Sequence, residues 1–230
     1  MTAHARLFSA SAAPRWMLCP GSVRLCEGLE DTSSAYAEEG TLAHEIAAAV
    51  LQGAQTVDTD ELADDIFDAV VDYTERVRQA AEGKTLLVEQ RVDYSEVIGH
   101  AESFGTADAI IIGDGILEIR DLKTGRNPAY ALPQLGLYAL GALHQFEALG
   151  PFDMVRLVID QGRIGHFDEV ELTMEELAAI YTAAKTEVLV EVFLDKLKLA
   201  EEVNLADAQT IGGLQALAAS GLLTETRVQE

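Results

Sequence analysis

The sequence predicts an α/β fold, a small mixed β-sheet flanked by helices. Three observations predict it: two β-branched runs meeting at Asp114-Gly115, amphipathic helical patterns before and after them, and two more short strand patterns beyond. Helices laid against a sheet bury the apolar face of each, which makes one layered core. At 230 residues the chain can bury such a core as a single domain over 1–230, with the sheet and its helices over about 36–172 and a helical extension over about 173–230.

Taken in order, Ser9 or Ser11 can cap a short helix reaching about Leu25, and Gly28 to Ser34 reads as a loop. Residues 36–52 are Ala-rich with Leu42, Ile46, Val50 and Leu51 at helical spacing, and a second helix spans about 60–81. A strand follows over 85–92, then a loop through Ser103, the hairpin over 104–122, a helix over about 130–149, and strands near 154–160 and 165–172. Thr173 and Glu176 form a capping box, each side chain able to satisfy an orphan amide, ahead of a helix running to about 199. A last helix is predicted near 207–219.

The hairpin carries the chemistry. Asp114-Gly115 suits a two-residue type I′ turn, in which both central residues need positive φ. That turn sets Gly113 against Ile116 and, by the same register, Asp108 opposite Asp121. Directly opposite residues share a face with Cβ atoms about 4.5 to 5.5 Å apart. Lys123, two residues past Asp121, falls on that face too, whose remainder (Ile110, Ile112, Leu117, Ile119) is apolar. Two like charges on an apolar face repel, so something must compensate. Either a hard divalent cation does so, Mg²⁺ or Mn²⁺ held by carboxylates, or Lys123 simply neutralises an ion cluster.

After the Thr124 to Pro128 loop, the next helix has two faces. Leu132, Leu135, Ala139, Leu143 and Phe146 form an apolar stripe. Gln134, Tyr138, Gly141 and Gln145 form a polar and small one, an ordinary solvated face unless the helix starts close to Lys123. Gln134 and Tyr138, one turn apart, can reach the same ligand. In the helix over 36–52 His44 lies among Ala47, Ala48 and Leu51, where a histidine is a core residue unless the helix packs over the hairpin and the imidazole completes a metal site. Glu45 and Glu89 are its rivals as a third ligand.

Composition narrows the function classes. A formal charge of -23 argues against broad electrostatic adhesion to nucleic acid, for which a basic patch is the usual footprint. Yet residues 1–26 hold Arg6, Arg15 and Arg24 without an acid, and Arg120, Lys123 and Arg126 cluster along the chain near the proposed site. No apolar run is long enough to cross a bilayer, and the N-terminus is a poor secretory signal, so the cytoplasm is the expected compartment. Two cysteines, Cys19 and Cys26, make no disulfide framework and match no common zinc spacing.

The order His44, then Gly105-Thr106-Ala107-Asp108, then Asp121-Leu122-Lys123, then Gln134-Leu135-Gly136-Leu137-Tyr138 resembles the RecB-like branch of the PD-(D/E)XK nuclease superfamily, which includes Cas4-type proteins and phage nucleases. The resemblance covers about residues 9–160 and implies a restriction-endonuclease-like core. It implies that His44, Asp108, Asp121 and the carbonyl of Leu122 bind Mg²⁺ or Mn²⁺, that Lys123 orients or activates the attacking water, and that Gln134 and Tyr138 contact DNA. Segment 11–26 is similar to the one from which iron-sulfur members supply one cysteine ligand. No cysteine follows Cys26, so a four-cysteine cluster cannot form within the chain, and Cys19 is expected to be a small buried hydrophobe.

The function expected from this resemblance is metal-dependent hydrolysis of DNA phosphodiester bonds, with Asp108, Asp121 and Lys123 as catalytic residues. An exonuclease of phage recombination or replication is the finer expectation, with DNA as partner and a recombination or single-strand-binding protein beside it. The alternative is a catalytically inactive nuclease-fold module that binds DNA or protein, which the acidic surface keeps open. A third reading, an acidic mimic of DNA, needs carboxylates at phosphate-like spacing, which nothing in the linear sequence establishes.

Overall fold

The apolar periodicity resolves into a three-layer α/β arrangement in a computed structural model, which describes residues 8–19, 21–26 and 35–182. The helices are α1 (Ala13–Leu18), α2 (Gly21–Leu25), α3 (Ala35–Leu51), α4 (Asp64–Ala80), α5 (Ser95–Ile98), α6 (Ala131–Gln145) and α7 (174–182). The strands are β1 (Thr85–Asp93), β2 (Phe104–Gly113), β3 (Ile116–Leu122), β4 (Met154–Gln161) and β5 (His166–Thr173). They form one sheet in sequence order, antiparallel except for β3 and β4, which are parallel and joined across α6. A parallel neighbour needs such a crossover, because a tight turn can only reverse the chain.

The hairpin turns as its sequence predicts. Asp114 and Gly115 have φ of 55° and 74°, and Gly113 pairs with Ile116. Pairing continues to Ala109 and Arg120, so the register brings Asp108 level with Asp121. On one face Ile110, Ile112, Leu117 and Ile119 pack against Leu135 and Ala139 of α6, with Trp16 of α1 in the same core. On the other, Ala109, Ile111 and Leu122 pack with Ala43 and Ile46 of α3 and Ile66, Val70, Tyr73 and Val77 of α4.

Several expectations change in detail. The first helix is two, α1 and α2, parted at Cys19; a residue before proline is pushed out of helical backbone, and Pro20 follows. Ser9 makes no side-chain cap; its carbonyl accepts from Trp16 Nε1 at 3.0 Å. Cys19 is exposed, so the expected small buried hydrophobe is overturned; apolar contact here comes from Ala13 and Trp16. The presumed loop before Ser103 contains α5. The capping box forms, with Glu176 N donating to Thr173 Oγ1 at 3.2 Å and Thr173 N to Glu176 Oε2 at 2.9 Å. The remainder of that helix and the one near 207–219 lie outside the described residues. Among the described residues no helix is long and apolar enough to cross a membrane.

Tyr73 is 1% exposed and its hydroxyl has no hydrogen-bond partner among the described residues. Deleting an unsatisfied buried hydroxyl while keeping the ring removes a desolvation penalty. Tyr73→Phe is expected to raise unfolding stability by about 1 kcal/mol in urea denaturation; a loss of that size would show that the hydroxyl is satisfied.

Candidate functional site

Asp108 of β2 and Asp121 of β3 lie where α3 and α6 close over opposite sides of the sheet. Asp108 Oδ2 accepts from the backbone amide of Leu122 at 2.8 Å and meets His44 Nδ1 at 3.1 Å. Asp121, 2% exposed, receives Gln134 Nε2 on Oδ1 at 3.1 Å. Lys123 Nζ stands 2.6 Å from Asp121 Oδ2 as a buried ion pair. His44, Asp108, Asp121, Lys123 and Gln134 thus stand in one set of contacts, which Tyr138 joins through Gln134.

The strands bend their own alternation at this place. Leu87 and Val92, five residues apart, pack on the same side, as do Ala107 and Ile110, three apart. Between the first pair sits Glu89, whose φ of 51° is in the left-handed region that a side chain makes costly. Flanking pairs Val88 with Ala109 and Gln90 with Ala107 put Glu89 level with Asp108. Simple alternation from Ile110 therefore does not carry through to Asp108. Of the two rival acids, Glu45 is exposed, while Glu89 is half-buried and has its carboxyl raised by burial and by Asp108.

The electrostatics are asymmetric. Burial works against charge on Asp108, but His44, Lys123 and the Leu122 amide outweigh it and hold its carboxyl below the usual range. Asp121, with burial and the Asp108 charge against it, is pushed up to about 6. Burial would lower the His44 pKa, yet the Asp108 carboxylate pushes it up to about 9. Burial opposes the Lys123 charge too, but Asp121 and Asp108 raise its pKa, so the ammonium is retained at neutral pH.

Two carboxylates and an imidazole are the donor chemistry a divalent cation takes, and Asp108, Asp121 and His44 bring that set together. On those grounds the residues fit the group that the resemblance implies. Among the described residues, however, no group of three or more His, Cys, Asp or Glu side chains is already disposed to hold a metal ion.

Two expectations look different in three dimensions. Gln134 and Tyr138 do not lie on a solvated face: both are buried, and Gln134 Nε2 lies 3.4 Å from the Tyr138 hydroxyl. Arg120 does not join Lys123 beside the carboxylates. It turns to the other side of the strand, ion-paired to Glu118 and at 3.4 Å to Asp160, because neighbours along a strand face opposite ways. Arg126 is largely exposed, 3.9 Å from Asp65.

Sequence reasoning missed what holds the loop between Lys123 and α6. Gln161, 1% exposed, donates to the carbonyls of Gly125 and Asn127 and accepts from Ala129 N. Arg163 donates to the Thr124 carbonyl while paired with Glu39 and Asp65, and Asp168 caps α6 by accepting from Ala131 N. These partners are 32 to 124 positions away along the chain, beyond any local pattern.

Residues 4–189 match the family described as a protein of unknown function (DUF2800), and the chain belongs to that family.

The pKa shifts give a signed pH dependence in the presence of a chelator. A raised histidine contributes stability below its unfolded value, and loses it as pH rises through its folded value. For His44 that window runs from 6.5 to about 9. Asp121, also raised, loses its contribution earlier, between 3.8 and about 6, and Asp108, lowered, loses its own only in more acidic solution. Thermal denaturation in EDTA is expected to show a fall on the order of 2 kcal/mol between pH 6.5 and 9. His44→Ala should be less stable at pH 6.5 and have a flatter profile; an unchanged slope would contradict the pairing with Asp108.

Proposed function

We propose that this DUF2800 family member is a metal-dependent deoxyribonuclease of RecB-like type that hydrolyses DNA phosphodiester bonds. The observation that carries the reading is the pair of carboxylates brought level across one hairpin, Asp108 held by His44 and the Leu122 amide, Asp121 held by Lys123 and Gln134.

Asp108, Asp121, His44 and the Leu122 carbonyl would hold Mg²⁺ or Mn²⁺, with Glu89 beside them. The cation supplies Lewis acidity at the scissile phosphate and makes water a better nucleophile. Lys123 keeps its proton beside Asp121, so its part is to place positive charge where negative charge develops and to orient the attacking water, rather than to remove a proton. The imidazole of His44 pairs with Asp108 as a cation and must give up its proton to serve as a ligand. Arg126, exposed on the loop that Gln161 holds and 3.9 Å from Asp65, would meet a phosphate of the strand. The finer reading, an exonuclease of phage recombination or replication working with a recombination or single-strand-binding protein, rests on the motif resemblance alone.

A second reading, a nuclease-fold module that binds without cutting, is favoured by the absence of a ready three-donor group among the described residues and by the neutralisation of Arg120. Labelled single- and double-stranded DNA, linear and circular, incubated with Mg²⁺, Mn²⁺ or EDTA separates the two. Cation-dependent cleavage is expected, and Asp121→Ala or Lys123→Ala is expected to abolish it with the circular dichroism spectrum unchanged. Full Mg²⁺-dependent activity in either variant would sink the assignment, while retention of DNA without cleavage would select the binding module.

A further inference from the structure

Gln134 and Tyr138 lie in the interior, 9% and 3% exposed. A glutamine amide has two N–H donors, and here Nε2 faces both Asp121 Oδ1 at 3.1 Å and the Tyr138 hydroxyl at 3.4 Å. Tyr138 is fixed in turn. Its ring lies over Gly105, where an added Cβ would sit 2.5 Å from Cε1 and 2.9 Å from the hydroxyl, and 6.4 Å from the ring of Tyr94. The Tyr94 hydroxyl meets the carbonyls of Phe8 and Phe104, so this stack is anchored to the start of β2 and to the N-terminal segment.

We propose that Gly105, Tyr138 and Gln134 form a positioning unit for Asp121, and that Gln134 and Tyr138 act through that carboxylate rather than by touching DNA. The torsion of a carboxylate is broad and nearly two-fold, so an unrestrained Asp121 would exchange its oxygens freely. Gln134 engages Oδ1 and thereby leaves Oδ2, the oxygen beside Lys123, as the one to offer. Gly105 belongs to the unit because only a residue without Cβ lets Tyr138 lie close enough to β2 to receive the Gln134 amide. The glycine and the aspartate of Gly105-Thr106-Ala107-Asp108 then serve different halves of the same site.

The inference rests on the cation reading above, and its test keeps the two apart. Mn²⁺ binding to the full chain is measured by electron paramagnetic resonance, and DNA binding in EDTA by fluorescence anisotropy, for wild type, Gln134→Met, Tyr138→Phe and Gly105→Ala. Removing the partner of a ligating carboxylate is expected to weaken Mn²⁺ binding about 10-fold or more in Gln134→Met and about 3-fold in Tyr138→Phe. DNA affinity without metal is expected to stay within about 2-fold, because in this scheme neither side chain touches the strand. Gly105→Ala should reproduce the Gln134→Met loss; should it fail to fold, the two volume-conserving variants decide. Wild-type Mn²⁺ binding with no loss in folded Gln134→Met overturns the positioning unit alone. A larger loss of DNA affinity than of Mn²⁺ affinity also overturns it, in favour of direct substrate contact. Wild type that binds no Mn²⁺ overturns the cation reading itself, and the positioning role with it.

Discussion

The arrangement turns on the burial of two carboxylates side by side. Asp108 and Asp121 come together because a two-residue turn fixes the register of β2 on β3, and in a low-dielectric setting their repulsion is poorly screened. The answer comes from distant parts of the chain: His44 from α3, Lys123 and the Leu122 amide from the end of β3, Gln134 from α6. Helices on opposite sides of the sheet are thus committed to one pair of acids. The acids are not equivalent: His44, Lys123 and the Leu122 amide keep Asp108 ionised, while burial and the Asp108 charge leave Asp121 the more basic.

The other side of β3 has the same difficulty and a different solution. Glu118 and Asp160 are buried acids, and Arg120, Arg156 and Arg76 satisfy them, with Arg156 reaching Glu171 on β5. A buried charge is tolerable only when paired and hydrogen-bonded, and these guanidinium groups do both. This network ties β3, β4, β5 and α4 together but takes Arg120 away from the carboxylate pair. Within a chain of net charge -23, Lys123 and Arg126 then carry the local positive charge on that loop.

Precision around Lys123 depends on a loop that has little regular structure of its own. Gln161 fills three backbone partners, Arg163 bridges α3, α4 and Thr124, and Asp168 holds the first turn of α6. Since α6 also brings Gln134 to Asp121, the end of β4 and the edge strand β5 help set the geometry of a site to which they contribute no candidate ligand. Side chains that lock a loop to a sheet give rigid placement, their hydrogen bonds offsetting the rotamer entropy that a fixed glutamine or arginine loses.

Much of this was legible locally. The Asp114-Gly115 turn determined the hairpin register, helical spacing determined α3, α4 and α6, and Thr173 with Glu176 determined the start of α7. These features depend on neighbours within a few residues, where turn chemistry and periodicity act. The tertiary structure alone decided that α3 reaches Asp108 through His44, that Arg120 is spent on Glu118 and Asp160, that Cys19 faces outward, and that Gln134 and Tyr138 are buried. It also decided the break of alternation at Glu89, since a left-handed glutamate has no sequence signal. Each of these depends on which elements pack together, and a polar stripe on a helix reads alike in sequence whether water or a buried carboxylate lies opposite it.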